Sequence, residues 1–207
     1  HIANKFGLNV IVKPKLGKLE TCIVNVDKWW ILIETSPAES YMPQQKIKLE
    51  IANIPSYTRE LLPLIANYES VRALPTVLVN TESMEEILAD KVLAFPTSLT
   101  DTQGNFVGIN NRKIRHRDIW DISWLLRQGA KLNEALVKRK IKDYSVINYV
   151  SLLDKAIEFT PSVVKGKQFK AQMSRFIDTA TFKNMLSTDS HLDYLSHSTR
   201  ETLSVSY

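Results

Sequence analysis

One lysine of this sequence stands where the pattern of a predicted helix requires an apolar side chain. Met84, Ile87, Leu88 and Phe95 follow the i, i+3, i+4 spacing of a buried stripe, and Lys91 lies on the same face. Burying an ammonium group is costly unless a carboxylate pairs with it or it faces a polar cleft. Lys91 is therefore either a cation aimed into a cleft, where it could hold triphosphate oxygens, or a member of a structural ion pair.

A pair of aspartates in the segment HRDIWDISWLL is the second candidate for chemistry. Asp118 and Asp121 have the i, i+3 spacing that places both carboxylates on one face of a helix. In the functional interpretation, one carboxylate orients Lys91 and the other lies near a bound nucleotide. In the alternative interpretation, acids in a first helical turn complement the helix dipole, and Arg115 or Arg117 pairs with them at the surface.

The third candidate, Glu50, lies on the polar face of the alternating segment 46–52. Carboxylates on neighbouring strands hold magnesium in phosphoryl-transfer sites. Such a site needs further carboxylates, and Glu20, Asp27 and Glu34 on the preceding predicted strands form no Asp-x-Asp pair. The sequence also contains no P-loop, so Glu50 by itself is a weak indication of metal binding.

Basic residues are concentrated in one stretch of the chain. The net charge of the 207 residues is +5, and residues 112–143 carry ten Lys/Arg against four Asp/Glu. Such a face attracts a polyanion such as RNA or a nucleoside triphosphate, or it is the solvated surface of lysine-rich helices. In the first interpretation the candidate RNA contacts are Arg112, Arg115, Arg139 and Lys140.

Other classes of site and location are disfavoured by composition. A single cysteine, Cys22, cannot form an internal disulfide or a thiolate zinc cluster, and the four histidines lack the spacing of zinc ligands. No apolar run reaches the ~18 residues that cross a bilayer. We therefore expect a cytoplasmic protein that does not span a membrane.

Strands precede helices in the predicted order of elements. The predicted strands are residues 8–13, two strands within 20–35 that join near Asp27–Lys28, 46–52 and 76–79. The predicted helices are 58–66, 83–95 with a capping box at Ser83 and Glu86, 116–128, and several from 131 to the end with breaks near 143–145, 161–166 and 187–190. This order predicts an α+β domain over residues 1–143 followed by a helical bundle over 144–207.

Three blocks together resemble a known family. IKLEIA, then SMEEILADKVLAF, then RHRDIWDISWLL are similar in order and approximate spacing to the AbiEii/AbiGii-type nucleotidyltransferase toxins. These proteins are the toxin halves of bacterial toxin–antitoxin pairs linked to abortive infection and phage defence. The resemblance covers roughly residues 20–142, and the combination of EEILADK with RDIWDI is its most specific part.

The resemblance implies a nucleotidyltransferase-like mixed sheet and assigns roles to the candidate residues. Glu50 matches the family's third metal-binding acid, Lys91 its nucleotide-binding lysine, and Arg117, Asp118 and Asp121 the block that supports nucleotide binding and transfer. The Gly-Ser turn and the Asp-x-Asp pair of the family are not found, and we expect them upstream of His1. The family's arginine after the lysine helix is also missing, and Arg112 or Arg115 substitutes for it in this interpretation.

The predicted function is therefore transfer of a nucleotide from a nucleoside triphosphate to an RNA, such as tRNA, or to a protein acceptor. We expect Mg²⁺ as cofactor of the intact enzyme, a cognate antitoxin as partner, and little or no activity from these 207 residues alone. Two alternatives stay open. The chain could be a non-catalytic remnant that binds RNA or a partner, or it could be one half of a two-chain enzyme.

Overall fold

The computed structural model describes residues 5, 7–17, 24–34, 44–65, 67–69, 72–73, 75–101, 103, 105–109 and 111–207. The chain forms two compact units, His1–Pro55 and Ser56–Tyr207. The mixture of antiparallel strands and helices confirms the predicted α+β class. Within the described residues, no helix is both long enough and apolar enough to span a membrane.

The first unit contains an antiparallel sheet with the strand order β1-β2-β3. Its strands are β1 (Asn9–Lys15), β2 (Val26–Glu34) and β3 (Gln45–Ala52). In β3 the predicted alternation places Ile47, Leu49 and Ile51 on one face, as expected for a period of two. Glu50 lies on the opposite face and is opposite Lys28 in the neighbouring strand.

The predicted turn near Asp27–Lys28 is wrong. Both residues lie inside the continuous strand β2, where they pair with Ile51 and Glu50 of β3. Polar residues in mid-strand need no turn when they fall on the solvated face or meet a cross-strand charge, as Lys28 does. The earlier part of the predicted strand pair, residues 20–23, lies outside the described residues.

The second unit begins with a two-stranded antiparallel ribbon, β4 (Arg59–Pro63) and β5 (Leu78–Glu82). The helix predicted for residues 58–66 is therefore wrong. Leu62 pairs with Val79, and Pro63, which has no amide hydrogen to donate, stands at the last position of β4, where a strand tolerates it. The predicted strand 76–79 is displaced toward residue 82.

Helices make up the rest of the second unit. They are α1 (Met84–Thr97), α2 (His116–Arg127), α3 (Glu134–Asp143), α4 (Tyr149–Lys165), α5 (Lys167–Met173), α6 (Thr179–Met185) and α7 (Asp189–Ser204). The serine half of the predicted capping box is confirmed, because the Ser83 hydroxyl accepts a hydrogen bond from the Glu86 amide at 3.2 Å. The glutamate half is wrong, because the Ser83 amide donates to the Thr58 carbonyl and the Glu86 carboxylate accepts from the amides of Tyr57 and Thr58. Pro96 and Pro161 lie within helices, so the break predicted from residue 161 begins only at Gly166.

One apolar core joins these helices. Leu88, Val92, Ile119 and Ile122 are fully buried where α1 packs against α2. Helix α4 packs against both α1 and α7, so helices from either side of residue 143 share this core. The domain boundary predicted near residue 143 thus falls inside the second unit, and the observed division follows Pro55.

The connection between α1 and α2 is closed at its base. The Arg115 amide donates a hydrogen bond to Ser98 Oγ over 3.1 Å, and the Val107 amide donates to the Leu99 carbonyl over 2.9 Å. These bonds fix the end of α1 against the start of α2. The two helices that carry Lys91 and the aspartates are therefore held together at this end as well as along their packed faces.

Candidate nucleotide-binding site

Lys91 of α1 projects toward α2 and meets both aspartates of the HRDIWDI segment. Its Nζ lies 2.9 Å from Asp118 Oδ1 and 2.6 Å from Asp121 Oδ2. The Lys91 side chain is 19% exposed, and that of Asp118 is 3% exposed. The apolar contacts of α1 with α2 hold the three groups in register, since the i, i+3 spacing directs both carboxylates to the same neighbour.

Two arginines complete the arrangement, which we call the lysine–aspartate cluster: Lys91, Asp118, Asp121, Arg115 and Arg117. Arg115 Nε lies 2.5 Å from Asp118 Oδ2, and Arg117 Nε lies 3.6 Å from Asp121 Oδ2. Each carboxylate is thus shared between two cations, and the cluster retains an excess of positive charge. Both arginine side chains are more than half exposed and can turn toward a ligand.

The electrostatic environment keeps Lys91 protonated. Burial alone would lower the pKa of its ammonium group, but the charges and hydrogen bonds of Asp118 and Asp121 outweigh burial and raise the pKa above the ordinary value of 10.5. Lys91 is therefore a fixed cation and not a general base. Its chemistry is the stabilisation of negative charge.

A cavity of about 640 Å³ opens beside the cluster. Lys91, Lys113 and Arg115 place three cationic side chains in its wall, and Thr97 and Ser98 add hydroxyl groups. The remaining lining residues are Asp90, Leu93, Ala94, Tyr144 and Val146. The volume suits a nucleotide, and the three cations suit a polyphosphate. Of the predicted site residues, Lys91 and Arg115 line this cavity and Arg112 does not. The role of Arg115 as the substituting arginine stays a prediction.

A second ion cluster, which the sequence interpretation missed, joins Glu86 and Asp90 of α1 to Lys140 of α3. Lys140 Nζ is 2.5 Å from Glu86 Oε1 and 3.0 Å from Asp90 Oδ2, and the Lys140 side chain is 1% exposed. Glu86 Oε2 also accepts hydrogen bonds from the amides of Tyr57 and Thr58. This carboxylate therefore ties the start of β4 to α1 and α3.

The assignment of Lys140 to an exposed basic face is wrong. Its ammonium group is enclosed and paired, so it is not available to a phosphate. Arg112, Arg115 and Arg139 are exposed, as the interpretation requires, and the Arg139 guanidinium lies 5.3 Å from the ring centroid of Tyr57. The basic face is thus smaller than the sequence suggests.

Glu50 belongs to the first unit and has two lysines as partners. Its Oε1 lies 3.1 Å from Lys28 Nζ and 2.6 Å from Lys48 Nζ. Hydrogen bonds from Lys48 and Lys28 hold the pKa of this carboxyl below its ordinary value. Among the described residues, no group of three or more His, Cys, Asp or Glu side chains could hold a metal ion. The metal-binding role of Glu50 stays a prediction.

Comparison with known proteins agrees with the resemblance of the three sequence blocks. A family model described as the nucleotidyl transferase AbiEii toxin of a type IV toxin–antitoxin system matches residues 5–196. No curated protein and no solved structure matches the chain. The matched range contains β1 through α6, the first half of α7 and the whole lysine–aspartate cluster. The chain therefore belongs to the AbiEii nucleotidyl transferase toxin family.

Proposed function

We propose that the second unit binds the triphosphate of a nucleoside triphosphate in the 640 Å³ cavity, as the nucleotide-holding part of a nucleotidyltransferase toxin. The observation that carries the proposal is the position of Lys91, which is held by two aspartates at the wall of a cavity that Lys113 and Arg115 also line. Three cations around one cavity attract the negative charge of a triphosphate, although Asp90 places a carboxyl group in the same lining.

The reaction assigned to such a site forms a bond between an acceptor hydroxyl oxygen and the α-phosphorus. The acceptor hydroxyl gives up its proton to solvent, the bond between the α-phosphorus and the oxygen that bridges it to the β-phosphorus breaks, and pyrophosphate leaves with its negative charge. Lys91 and Arg115 stabilise that charge, while buried Asp118 orients both cations. Asp121 is more exposed than Asp118, so its contact with Lys91 is the one that a phosphate oxygen can replace.

The described carboxylates do not fit a magnesium site. Asp118 and Asp121 are each bridged by cations, and Glu50 is held by two lysines. Mg²⁺ requires carboxylate oxygens that are free to coordinate it, and a neighbouring ammonium group competes for them. These residues therefore take no step through a metal ion, although we expect Mg²⁺ to be the cofactor of the transfer reaction.

Equilibrium binding tests the proposal directly. Each of the four ribonucleoside triphosphates is titrated by calorimetry into the purified wild-type chain. The same titrations are repeated with the variants Lys91→Met and Lys113→Ala and with the control variant Lys131→Met. A charged hydrogen bond is worth about 1.5–3 kcal/mol, so Lys91→Met should weaken triphosphate binding by roughly 10- to 150-fold. Lys131 is exposed and outside the cavity lining, so its variant should bind like the wild type. Equal binding by Lys91→Met and wild type would refute the proposal.

The acceptor is identified by a labelling experiment. The chain is incubated with α-labelled triphosphates, bacterial RNA and bacterial protein, and the label is followed in each fraction. Because the 207 residues contain no Asp-x-Asp pair, we expect triphosphate binding without efficient transfer. The toxin family implies pairing with an antitoxin, and co-expression with the product of a neighbouring gene tests that pairing.

A second candidate function is RNA binding without transfer. Exposed Arg112, Arg115 and Arg139 favour it, because they leave guanidinium groups available to phosphates. RNA binding of this kind weakens as salt rises, with a slope set by the number of phosphate contacts. In that case Arg112→Ala and Arg139→Ala should lower the salt dependence of RNA binding, and Lys91→Met should leave it unchanged. Triphosphate binding should show the reverse pattern, with an effect of Lys91→Met and none of the two arginine variants.

A further inference from the structure

One side of the sheet in the first unit is strongly basic, and the proposed function does not use it. Residues paired across neighbouring strands project to the same side, so the register of β1, β2 and β3 collects five lysines on one side of the sheet. We call this side the lysine face, after Lys13 and Lys15 of β1, Lys28 of β2, and Lys46 and Lys48 of β3. The same register places two acids on it, Glu34 and Glu50.

The two acids neutralise only part of this charge. Glu50 Oε1 lies 3.1 Å from Lys28 Nζ and 2.6 Å from Lys48 Nζ, so a single carboxylate is shared by two ammonium groups. Glu34 accepts a hydrogen bond from Asn9 Nδ2 and pairs with no lysine among the described residues. The lysines that have no carboxylate as a partner in the described part of the chain are Lys13, Lys15 and Lys46.

The register also brings like charges together. Lys15 of β1 stands directly opposite Lys28 of β2, and like charges in directly opposite positions destabilise an antiparallel pair. Lys46 and Lys48 follow each other on one side of β3, about 6.8 Å apart along the strand. An anionic partner would remove this repulsion, because it would place a negative group beside each ammonium group.

An apolar strip crosses the same face. Ile11 of β1 is opposite Leu32 of β2, and Trp30 lies two positions before Leu32 on the same side of the strand. Ile11 is 45% exposed, and Leu32 and Trp30 are partly buried. Burial of such apolar surface against a partner is favourable. The face therefore offers a partner apolar contacts beside the ionic ones.

The groups that read nucleic-acid bases are scarce on this face. Proteins bind bases through amide and hydroxyl side chains or by stacking them on open aromatic rings. Among the described strand residues of the face, the one side-chain amide is that of Asn9, which already donates to Glu34. The Lys46 ammonium group covers the Trp30 ring at 4.0 Å from its centroid. A phosphodiester backbone would also leave the aliphatic strip unused.

From these features we infer that the lysine face binds an acidic segment of a partner protein. Along β1 the face presents Lys15, Lys13 and Ile11 at alternate positions. An extended segment has the same repeat of about 6.8 Å between alternate side chains, so two carboxylates followed by an apolar side chain match this order. Charge complementarity and the apolar strip together favour such a segment over a nucleic acid. The inference concerns the first unit and does not depend on the triphosphate site.

NMR titration tests where the segment binds. The probe is a peptide in which two glutamates and one leucine alternate with serines, and its control replaces the leucine by serine. Binding should draw the Lys46 ammonium group from the Trp30 ring, so the indole N–H resonance of Trp30 should shift and saturate. Trp30→Phe assigns this resonance among the four tryptophans. The absence of a saturable shift would overturn the inference.

A charge-matched pair of double variants tests the ionic contacts. Lys13→Gln combined with Lys46→Gln should weaken binding of the leucine peptide by about two- to thirtyfold, the effect of two exposed ion pairs. Lys167→Gln combined with Lys183→Gln removes the same charge from exposed positions of the second unit and should bind like the wild type. Equal weakening by the two double variants would show attraction to net charge alone, and the inference would then be wrong.

The apolar contact distinguishes a peptide from other anions. Ile11→Thr keeps a β-branched side chain and should weaken binding of the leucine peptide by about fourfold, the effect of one buried methylene group, while binding of the serine peptide stays unchanged. Equal affinities of the two peptides for the wild type would contradict the inference. Tighter binding of hexaadenylate or of a DNA duplex than of a leucine peptide of equal charge would identify a nucleic-acid partner instead and would also overturn it.

Discussion

Replacement of Lys140 by methionine should destabilise the fold strongly, because it removes a charge from a buried ion cluster. The ammonium group of Lys140 lies 2.5 Å from Glu86 Oε1 and 3.0 Å from Asp90 Oδ2. Removing one partner of a buried ion pair costs about 3–5 kcal/mol of unfolding free energy. Glu86 Oε2 keeps its bonds from Tyr57 and Thr58, so we expect a loss near the lower end, about 3 kcal/mol.

Urea unfolding, followed by circular dichroism, measures this loss. Lys142→Met on the same helix is the matched control, since Lys142 is exposed, and it should change stability by less than about 0.5 kcal/mol. When Glu86 is already replaced by glutamine, Lys140→Met should lower the unfolding free energy by at least about 1 kcal/mol less than it does in the wild type, because no uncompensated carboxylate is left at position 86. A cost below about 1 kcal/mol for Lys140→Met itself would mean that the lysine is solvated.

The pH dependence of the same comparison tests the charge on Glu86. Burial alone would raise the pKa of this carboxyl, but Lys140 and Thr58 bring it below the ordinary value of 4.5. The stability that Glu86 contributes in the wild type is therefore present above pH 4.5 and lost as pH falls through the folded-state pKa. The deficit of Lys140→Met should shrink below pH 4.5, and a deficit that does not change with pH would contradict the assignment.

Four further substitutions test the site and the helices that support it. Asp118→Asn should lower the unfolding free energy, measured in urea, by about 2 kcal/mol, because the Asp118 carboxylate is buried. Asp121→Asn should lower it by less than about 1 kcal/mol, because the Asp121 carboxylate is partly solvated. Ser83→Ala should cost about 1 kcal/mol in thermal or urea unfolding, since the helix loses the bond from the Glu86 amide, whereas an unchanged stability would show that the cap is dispensable. The pKa of Lys91 lies above 10.5, so the stability difference between wild type and Lys91→Met should be full below pH 10.5 and decline as pH rises through the folded-state pKa.

The sequence predicts the partners of Lys91 because both helices are regular and the lysine helix begins at the capped position Ser83. A helix that begins at a capped position keeps its period, so a lysine in the apolar stripe must face the neighbouring helix. The i, i+3 spacing of Asp118 and Asp121 then supplied the carboxylates that such a lysine needs. These are local properties, and the structure brings the three side chains within hydrogen-bond distance.

The same signal is present for Lys140. Leu136, Val137, Lys140 and Ile141 follow one helical stripe, so Lys140 stands in an apolar pattern just as Lys91 does. The surrounding lysines and arginines of α3 indicate a solvated basic surface, and this charge pattern conceals the apolar stripe. Its partner Glu86 was assigned to a capping box, and the sequence does not show that this carboxylate serves the backbone of another element.

Long-range pairing explains the errors in the strands. Residues 59–63 form a strand because they pair with residues 78–82, and nothing within the segment itself reports that partner. Asp27 and Lys28 were assigned to a turn on local polarity, although cross-strand contacts with β3 accommodate them. Sheet pairing depends on segments far apart in sequence, whereas helix capping and periodicity do not.

The closed base of the segment between α1 and α2 makes this connection a natural place for sequence insertions. Because Ser98 and Arg115 are bonded to each other, added residues near the exposed turn at Asp101 and Asn105 would lengthen the segment without moving either helix. Doubling the length of a flexible loop costs only about 0.6 kcal/mol of closure entropy. Relatives can therefore diversify in this segment, and an epitope tag or fluorescent peptide grafted there should leave the lysine and aspartates in place.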